Sequence, residues 1–323
     1  MRCGKKQYTA SGGRMCTDYG LQTTDCNKRT KEADVAEAAI RELQETAIAL
    51  VHEAGAAILA VSEAGVRDIQ FKGEGTRDLV TEADKRSEAI IVEAITRRYP
   101  DHRILAEEGT GTGGTGEYRW IIDPLDGTTN FAHKYPLWCV SIAVEHAGAI
   151  VAGVVFAPYI RELFVAARGD GATLNGRPIH VSPTLELPKA LLCTGFPYRL
   201  DASANNLSHW SNFVLRSQGT RRDGAAALDL CYVAAGRYDG FWEFGLSPWD
   251  VAAGSLIVQE AGGTMSTPGN IPYTPETRDV VASNGHLHSA MLDVLAIGRN
   301  GHGTTGPVSG TPQTQDSSTP PTA

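Results

Sequence analysis

The segment Trp120-Ile121-Ile122-Asp123-Pro124-Leu125-Asp126-Gly127 constrains this chain more than any other stretch. Its apolar run reads as a buried strand, and it ends on two carboxylates held within one turn. Two carboxylates fixed close together at a strand end repel one another unless something neutralises them. A hard divalent cation, which prefers oxygen ligands, is the natural partner. Gly127 permits an unusual backbone conformation at that point. Thr128 or Thr129 can cap a following helical turn, and the amides from Gly127 onward would then form a helix N-terminus suited to phosphate. One short loop thus offers a metal bridge and an anion cradle, although an Asp-Gly turn capped by threonine explains DxxDG taken by itself.

Two further acidic clusters weigh against the plain turn. Glu107-Glu108 follows the apolar run Ile104-Leu105-Ala106 and precedes a Gly-rich loop; alone, such paired acids are usually just solvated. Asp250 opens a helix in Trp249-Asp250-Val251-Ala252-Ala253-Gly254. As a plain N-cap it would contribute about 1 kcal/mol. A cap requires neither the neighbouring tryptophan nor the Ala-Ala-Gly run, which lets a helix approach its neighbours closely.

The rhythm of the chain divides it. Residues 1–33 are polar with no apolar period, and 299–323 are rich in Gly, Thr, Ser and Pro; both are expected to be disordered. Between them, 34–185 reads as an α+β half. It begins with a long amphipathic helix marked by Ile40, Leu43, Ala47, Leu50, Ala54 and Ile58. A second helix follows Thr81-Glu82-Ala83-Asp84, a capping box with Asp for Glu. From Leu137 to Val181 the period is two, and Asn175-Gly176 marks a hairpin turn, so an antiparallel meander is expected. In 186–298 short apolar strands alternate with helical stretches, which argues for an α/β half. A site at the join of the halves is expected, since pockets tend to form there.

Composition narrows the function. The formal net charge is −8 with 20% charged residues, so no general field attracts nucleic acid or anionic membrane. No apolar run approaches the roughly 18–20 residues of a membrane span, and residues 1–31 lack a signal-peptide apolar region. The expected address is the cytoplasm. Cys3, Cys16 and Cys26 lie in the polar N-terminal segment, whereas Cys139, Cys193 and Cys231 read as buried free thiols. Neither a CxxC pair nor zinc spacing is present.

Taken together, these segments resemble the inositol monophosphatase family over nearly the whole patterned region. The resemblance rests on WIIDPLDGTTNF (Trp120 to Phe131) and WDVAAGSLIVQEAGG (Trp249 to Gly263). Supporting matches are DLVTEAD (Asp78 to Asp84), AEEG (Ala106 to Gly109), GATLNGRPI (Gly171 to Ile179) and GFPY (Gly195 to Tyr198). It implies a layered αβαβα sandwich of the sugar phosphatase type and hydrolysis of a phosphate monoester by metal-activated water. It implies Glu107, Asp123 and the Leu125 carbonyl as ligands of one magnesium ion. Asp123, Asp126 and Asp250 would hold a second, and a third ion could lie near Glu107.

Thr128 matches the threonine that positions the attacking water, and Asp84 a residue that supports it. The amides of Gly127 and Thr128 would hold phosphate, and Glu243 and the Ala226 backbone would contact substrate hydroxyls. Lys72 lies near a loop lysine of the family, with one extra residue before Asp78. The substrate implied is a small phosphorylated polyol or sugar, foremost myo-inositol 1-phosphate, with a homodimer and lithium sensitivity. Alternatives on the same scaffold are fructose 1,6-bisphosphate, histidinol phosphate and 3′-phosphoadenosine phosphate; outside catalysis, the alternative is a transcription-associated interaction protein.

Overall fold

The computed structural model describes residues 23–65, 69–72, 79–111, 113–197 and 206–299. The disorder expected of 1–22 and 300–323 falls outside the described residues. The chain opens with α1 (Thr23–Ala64), a short antiparallel hairpin of β1 (Ile69–Phe71) and β2 (Leu79–Thr81), and α2 (Glu82–Arg98). The helix therefore starts at Thr23 and takes in the last part of the segment read as a disordered extension. That stretch, Thr23 to Ala33, carries Lys, Arg, Glu and Ala, which are good helix formers.

Next come β3 (Arg103–Ala106), β4 (Tyr118–Asp126), the short α3 (Thr128–Ala132) and β5 (Cys139–His146). They are followed by β6 (Ala149–Ala157), β7 (Glu162–Ala167), β8 (Gly171–Leu174) and β9 (Arg177–Pro178). These strands form one seven-stranded sheet in sequence order from β3 to β9, antiparallel except for the parallel β3–β4 pair. Asn175 and Gly176 both have positive φ between β8 and β9, as a type I′ hairpin turn requires.

The remaining chain supplies β10 (Leu191–Thr194), α4 (Leu207–Val214), β11 (Gly219–Arg221), α5 (Ala226–Ala234) and β12 (Gly240–Glu243). It ends with α6 (Pro248–Glu260), β13 (Thr264–Ser266), β14 (Val280–Ser283) and α7 (His288–Arg299). Its five strands lie in the order β11-β10-β12-β14-β13, with β10 parallel to both neighbours and β14 antiparallel to both of its own.

The layering follows from the two-residue period of the strands. On β4, Trp120 and Ile122 turn to the side where Leu43, Leu50 and Ile58 of α1 and Ile91 and Ile95 of α2 pack. Ile121 turns the other way, toward α5 and α6. The same middle layer packs Leu230, Val251 and Leu256 against Phe241, Val280 and Ala282 of the five-stranded sheet. On that sheet's far face, Leu192, Trp242 and Val281 meet Phe213 of α4 and Met291 and Leu295 of α7. The result is the αβαβα sandwich.

Small residues set the spacing of the middle layer. A Cβ on Gly153 of β6 would meet the Ala253 carbonyl oxygen at 2.7 Å, and one on Gly254 would meet Leu230 Cβ at 2.7 Å. The Ala-Ala-Gly run is what lets α6 lie this close to both β6 and α5. Residues 37–64 of α1 are, against the sequence reading, long and apolar enough to span a bilayer by length and composition. In this fold the stripe from Leu43 to Val61 is buried against α2 and the seven-stranded sheet.

Candidate active site

The site is organised by a bulge in β4. Asp123 pairs with Ser141 and Asp126 with Cys139, so three steps along β4 oppose two along β5. Residues three apart on a regular strand face opposite sides. The extra residue of the bulge cancels that alternation and puts both aspartates on one face, the face toward α5 and α6. Pro124 lies inside the bulge, where its missing N–H is tolerated; the strand continues to Asp126 rather than ending at the proline. The fold is held there by Leu125 N–H, which donates to Asp123 Oδ1 at 3.0 Å, and by Ser87 Oγ, which donates to the Pro124 carbonyl at 2.7 Å.

Gly127 terminates the bulge with φ +89°, and a Cβ there would meet the Leu137 oxygen at 3.0 Å and Trp138 Cβ at 3.2 Å. Both conditions select glycine. It is also the N-cap of α3, so neither threonine caps that turn. Thr128 Oγ1 instead lies 2.9 Å from Asp84 Oδ1 and 3.0 Å from the Leu125 carbonyl.

Two helix N-termini bring further groups to the same face. The Ala227 amide in the first turn of α5 donates to Asp126 Oδ2 at 2.7 Å. The neighbouring Ala226 backbone, which the family resemblance implies as a substrate contact, also favours the ionised Asp126. At α6, Ser247 is the N-cap, Pro248 occupies the first turn, and Asp250 is the third helical residue, its Oδ2 accepting the Ser247 amide at 2.7 Å. Asp250 is thus half of a capping box rather than the cap itself. The Ser-x-x-Asp spacing that signals this was present in the sequence. Glu107 enters from the end of β3, where its N–H donates to the Ile122 carbonyl of β4 at 3.3 Å.

These carboxylates share one electrostatic fate. Burial, then the charges of Glu107, Asp126 and Asp250, push Asp123 well above the ordinary aspartate range; its side chain is 2% exposed. Burial pushes Asp126 up to about 7 against the Ala227 amide. Burial and the Asp126 charge push Asp250 up to about 7 against the Ser247 amide. Glu107 also reaches about 7, chiefly through burial, with Lys72 opposing and Asp250 and Glu108 adding. Lys72 Nζ donates to Glu107 at 3.0 Å and to Glu108 at 2.6 Å. One ammonium cannot offset four converging acids. An all-oxygen, anionic donor set that resists ionisation for want of positive charge fits a hard divalent cation.

Helix α2 fixes the scaffold behind the cluster through three residues at helical spacing that all turn inward. Asp84 closes a capping box with Thr81, accepting its amide at 2.8 Å and its hydroxyl at 2.6 Å, and also receives Thr128. Ser87 holds the bulge. Glu88, 1% exposed, accepts the Glu108 amide at 2.8 Å and the Thr110 amide and hydroxyl at 3.1 and 2.6 Å. Ser87 and Glu88 escaped the sequence reading. The one available signal was their position on the Asp84 face of a helix whose apolar stripe also includes Ile91. Glu88→Ala would strand three donors, so denaturant unfolding is expected to show a loss of about 1–3 kcal/mol or more; an unchanged midpoint would contradict this latch.

Glu243 ends β12 beside the cluster. Burial, with Asp250 and Asp126 adding, pushes it up to about 8. A Cβ at Gly195 would overlap the Glu243 carboxylate at 2.0–2.2 Å, so glycine at that position makes room for it. Beneath it, Asn206 ties the two strand ends, with Nδ2 donating to Thr194 Oγ1 at 2.7 Å and to the Gly195 carbonyl at 2.8 Å. Trp242 Nε1 donates to Asn206 Oδ1 at 2.7 Å.

Comparison with known proteins agrees with this architecture. The model of the Inositol monophosphatase family matches residues 39–297. An inositol-1-monophosphatase from Synechocystis sp. is 49% identical over 254 residues, covering 78% of this chain and 88% of its own length. A Nus factor SuhB from Pseudomonas aeruginosa is 48% identical over 233 residues, covering 70% of this chain and 86% of its own. The solved inositol monophosphatase from Anabaena (Nostoc) sp. superposes with a TM-score of 0.72 at 42% identity, covering 80% of this chain and 96% of that one. The match spans the whole layered body, and this chain belongs to the inositol monophosphatase family of phosphatases.

Proposed function

We propose that this chain hydrolyses inositol monophosphates, foremost myo-inositol 1-phosphate, at the carboxylate cluster with two or three magnesium ions. The observation that carries the reading is the β4 bulge, which sets Asp123 and Asp126 on one face beside Asp250 and Glu107. Glu107, Asp123 and the Leu125 carbonyl would hold one ion; Asp123, Asp126 and Asp250 would hold another. The chemistry such ions supply when bound is acidification of a water molecule and relief of charge on the departing oxygen.

The chain's own groups do the rest. With its proton directed to Asp84 or to the Leu125 carbonyl, the Thr128 hydroxyl keeps lone pairs free to accept a hydrogen bond from the attacking water. The amides of Gly127 and Thr128 would donate to the phosphate. Glu243, with the Ala226 backbone, would read the ring hydroxyls of the substrate.

Glu243→Gln tests the substrate reading. Losing one such hydrogen bond costs about 0.5–1.5 kcal/mol, so kcat/KM on inositol 1-phosphate should fall roughly 2- to 10-fold while an aryl phosphate is spared. Equal losses on both substrates would reject hydroxyl reading. Lithium is expected to inhibit uncompetitively or in mixed fashion, occupying the Asp126–Asp250 position with half the charge; purely competitive kinetics would contradict that placement. A second reading is favoured by the relatives named Nus factor SuhB, which suggest a transcription-associated role. Such a role, if independent of catalysis, would survive Asp123→Asn in a transcription assay, whereas phosphatase activity would not.

A further inference from the structure

We propose that Cys193, Asp223 and Asp229 form a separate cation site, taking a thiophilic divalent ion of the zinc class rather than magnesium. Cys193 lies on β10, Asp223 in the loop before α5, and Asp229 in that helix's first turn. One ligand atom from each, the cysteine sulfur and two carboxylate oxygens, lies within 4.8 Å of the other two. Tetrahedral zinc with bonds of roughly 2.0–2.3 Å separates its ligands by somewhat less, so a small side-chain adjustment would close the set.

Asp229 is the independent sign that something belongs there. It is 1% exposed, and neither Oδ1 nor Oδ2 accepts a hydrogen bond from a nitrogen or oxygen donor among the described residues; the interaction that favours its ionised form comes from the Cys193 thiol, itself a member of the set. Buried carboxylates ordinarily accept hydrogen bonds or face a cation. The surroundings of Asp229 are acidic instead: after burial, Asp223, Glu243 and Asp126 all act to raise its pKa. The Cys193 thiol beside it is a weak donor.

The other two ligands are already fixed. Tyr238 hydroxyl donates to Asp223 Oδ2, and the Asp223 carbonyl accepts Asn130 Nδ2 at 2.7 Å. Burial and the Asp229 charge raise the Cys193 thiol, and the Asp223 amide works against them by favouring the thiolate. The set offers one soft sulfur and two hard oxygens. Sulfur ligation excludes magnesium in practice and suits zinc or cadmium. Binding would release the Cys193 proton, and the Asp229 proton where that acid is neutral, to solvent. An ion there would tie β10 to the start of α5.

The test is a cadmium titration of the full chain, reduced, with Cys3, Cys16 and Cys26 replaced by serine and magnesium present in excess. Cadmium bound to a thiolate gives an ultraviolet charge-transfer band that carboxylates alone do not. The expected result is a band that saturates at one ion per chain and persists in Cys139→Ser. It should be abolished by Cys193→Ser and weakened at least tenfold in affinity by Asp229→Asn, with zinc displacing the cadmium. No saturable band, a band kept by Cys193→Ser, or an affinity indifferent to Asp229→Asn would each overturn the site. Circular dichroism of the two variants confirms that the comparison is made on folded protein.

Discussion

Asp123→Asn is expected to lower turnover by about a thousandfold or more, equivalent to roughly 4 kcal/mol of transition-state stabilisation, with the fold intact. Asp123 is the most buried acid of the cluster and feels Glu107, Asp126 and Asp250 together. In the proposed arrangement it would serve as a ligand to both ions, so its loss would weaken the binding of each. Asparagine keeps the shape and can still accept the Leu125 amide through its oxygen. Folding therefore has little to lose, and the chelated variant should melt higher than the chelated parent because one repelling charge is gone. Steady-state kinetics at saturating magnesium, read beside a melting curve, checks both halves. Near-parental turnover would remove Asp123 from the ligand set.

The second large effect is an inverted pH dependence of stability in the chelated protein. Glu107, Asp126 and Asp250 are pushed up to about 7 and Glu243 to about 8 in the folded chain. In the unfolded chain such groups titrate near 4. Between those limits the folded state holds more protons than the unfolded one, so stability falls as pH rises. Their contribution is fully present below about pH 4 and is lost as pH climbs through 7 to 8. A single group moved this far corresponds to on the order of 3 kcal/mol at about 1.4 kcal/mol per unit, and the groups share rather than add their repulsion. In EDTA the melting temperature should drop by roughly 5–10 °C from pH 6 to pH 8.5. Saturating magnesium should flatten that slope, because the cation replaces the protons. A chelated protein equally stable at both values would mean that the acids do not face one another.

The residues of the cluster could be read from the sequence because their chemistry is local. Asp-Pro-Leu-Asp-Gly puts two acids and a forced turn in one pentapeptide, and Thr81-x-x-Asp84 and Ser247-x-x-Asp250 carry helix starts in four residues each. What remained hidden depends on partners distant in the chain. The bulge that aligns Asp123 with Asp126 is a register between β4 and β5, and no property of residues 123–126 alone specifies it. Glu88 looks like any helix acid until Glu108 and Thr110 fold back onto it. Asp250 can pass for a plain N-cap because it directly precedes the apolar run, whereas the cap itself is Ser247, three residues earlier. The layered fold, by contrast, followed from periodicity, since Trp120, Ile121 and Ile122 divide between two faces as alternation requires.

The most direct measurement is phosphate release from myo-inositol 1-phosphate by the purified full chain as magnesium is titrated from EDTA to saturation. A cluster of four acids with one lysine for compensation should be inert without the ion. The account predicts no release above background in EDTA, saturable activation by magnesium, and no recovery in Asp123→Asn at any magnesium concentration. Turnover in EDTA equal to that in magnesium would contradict it.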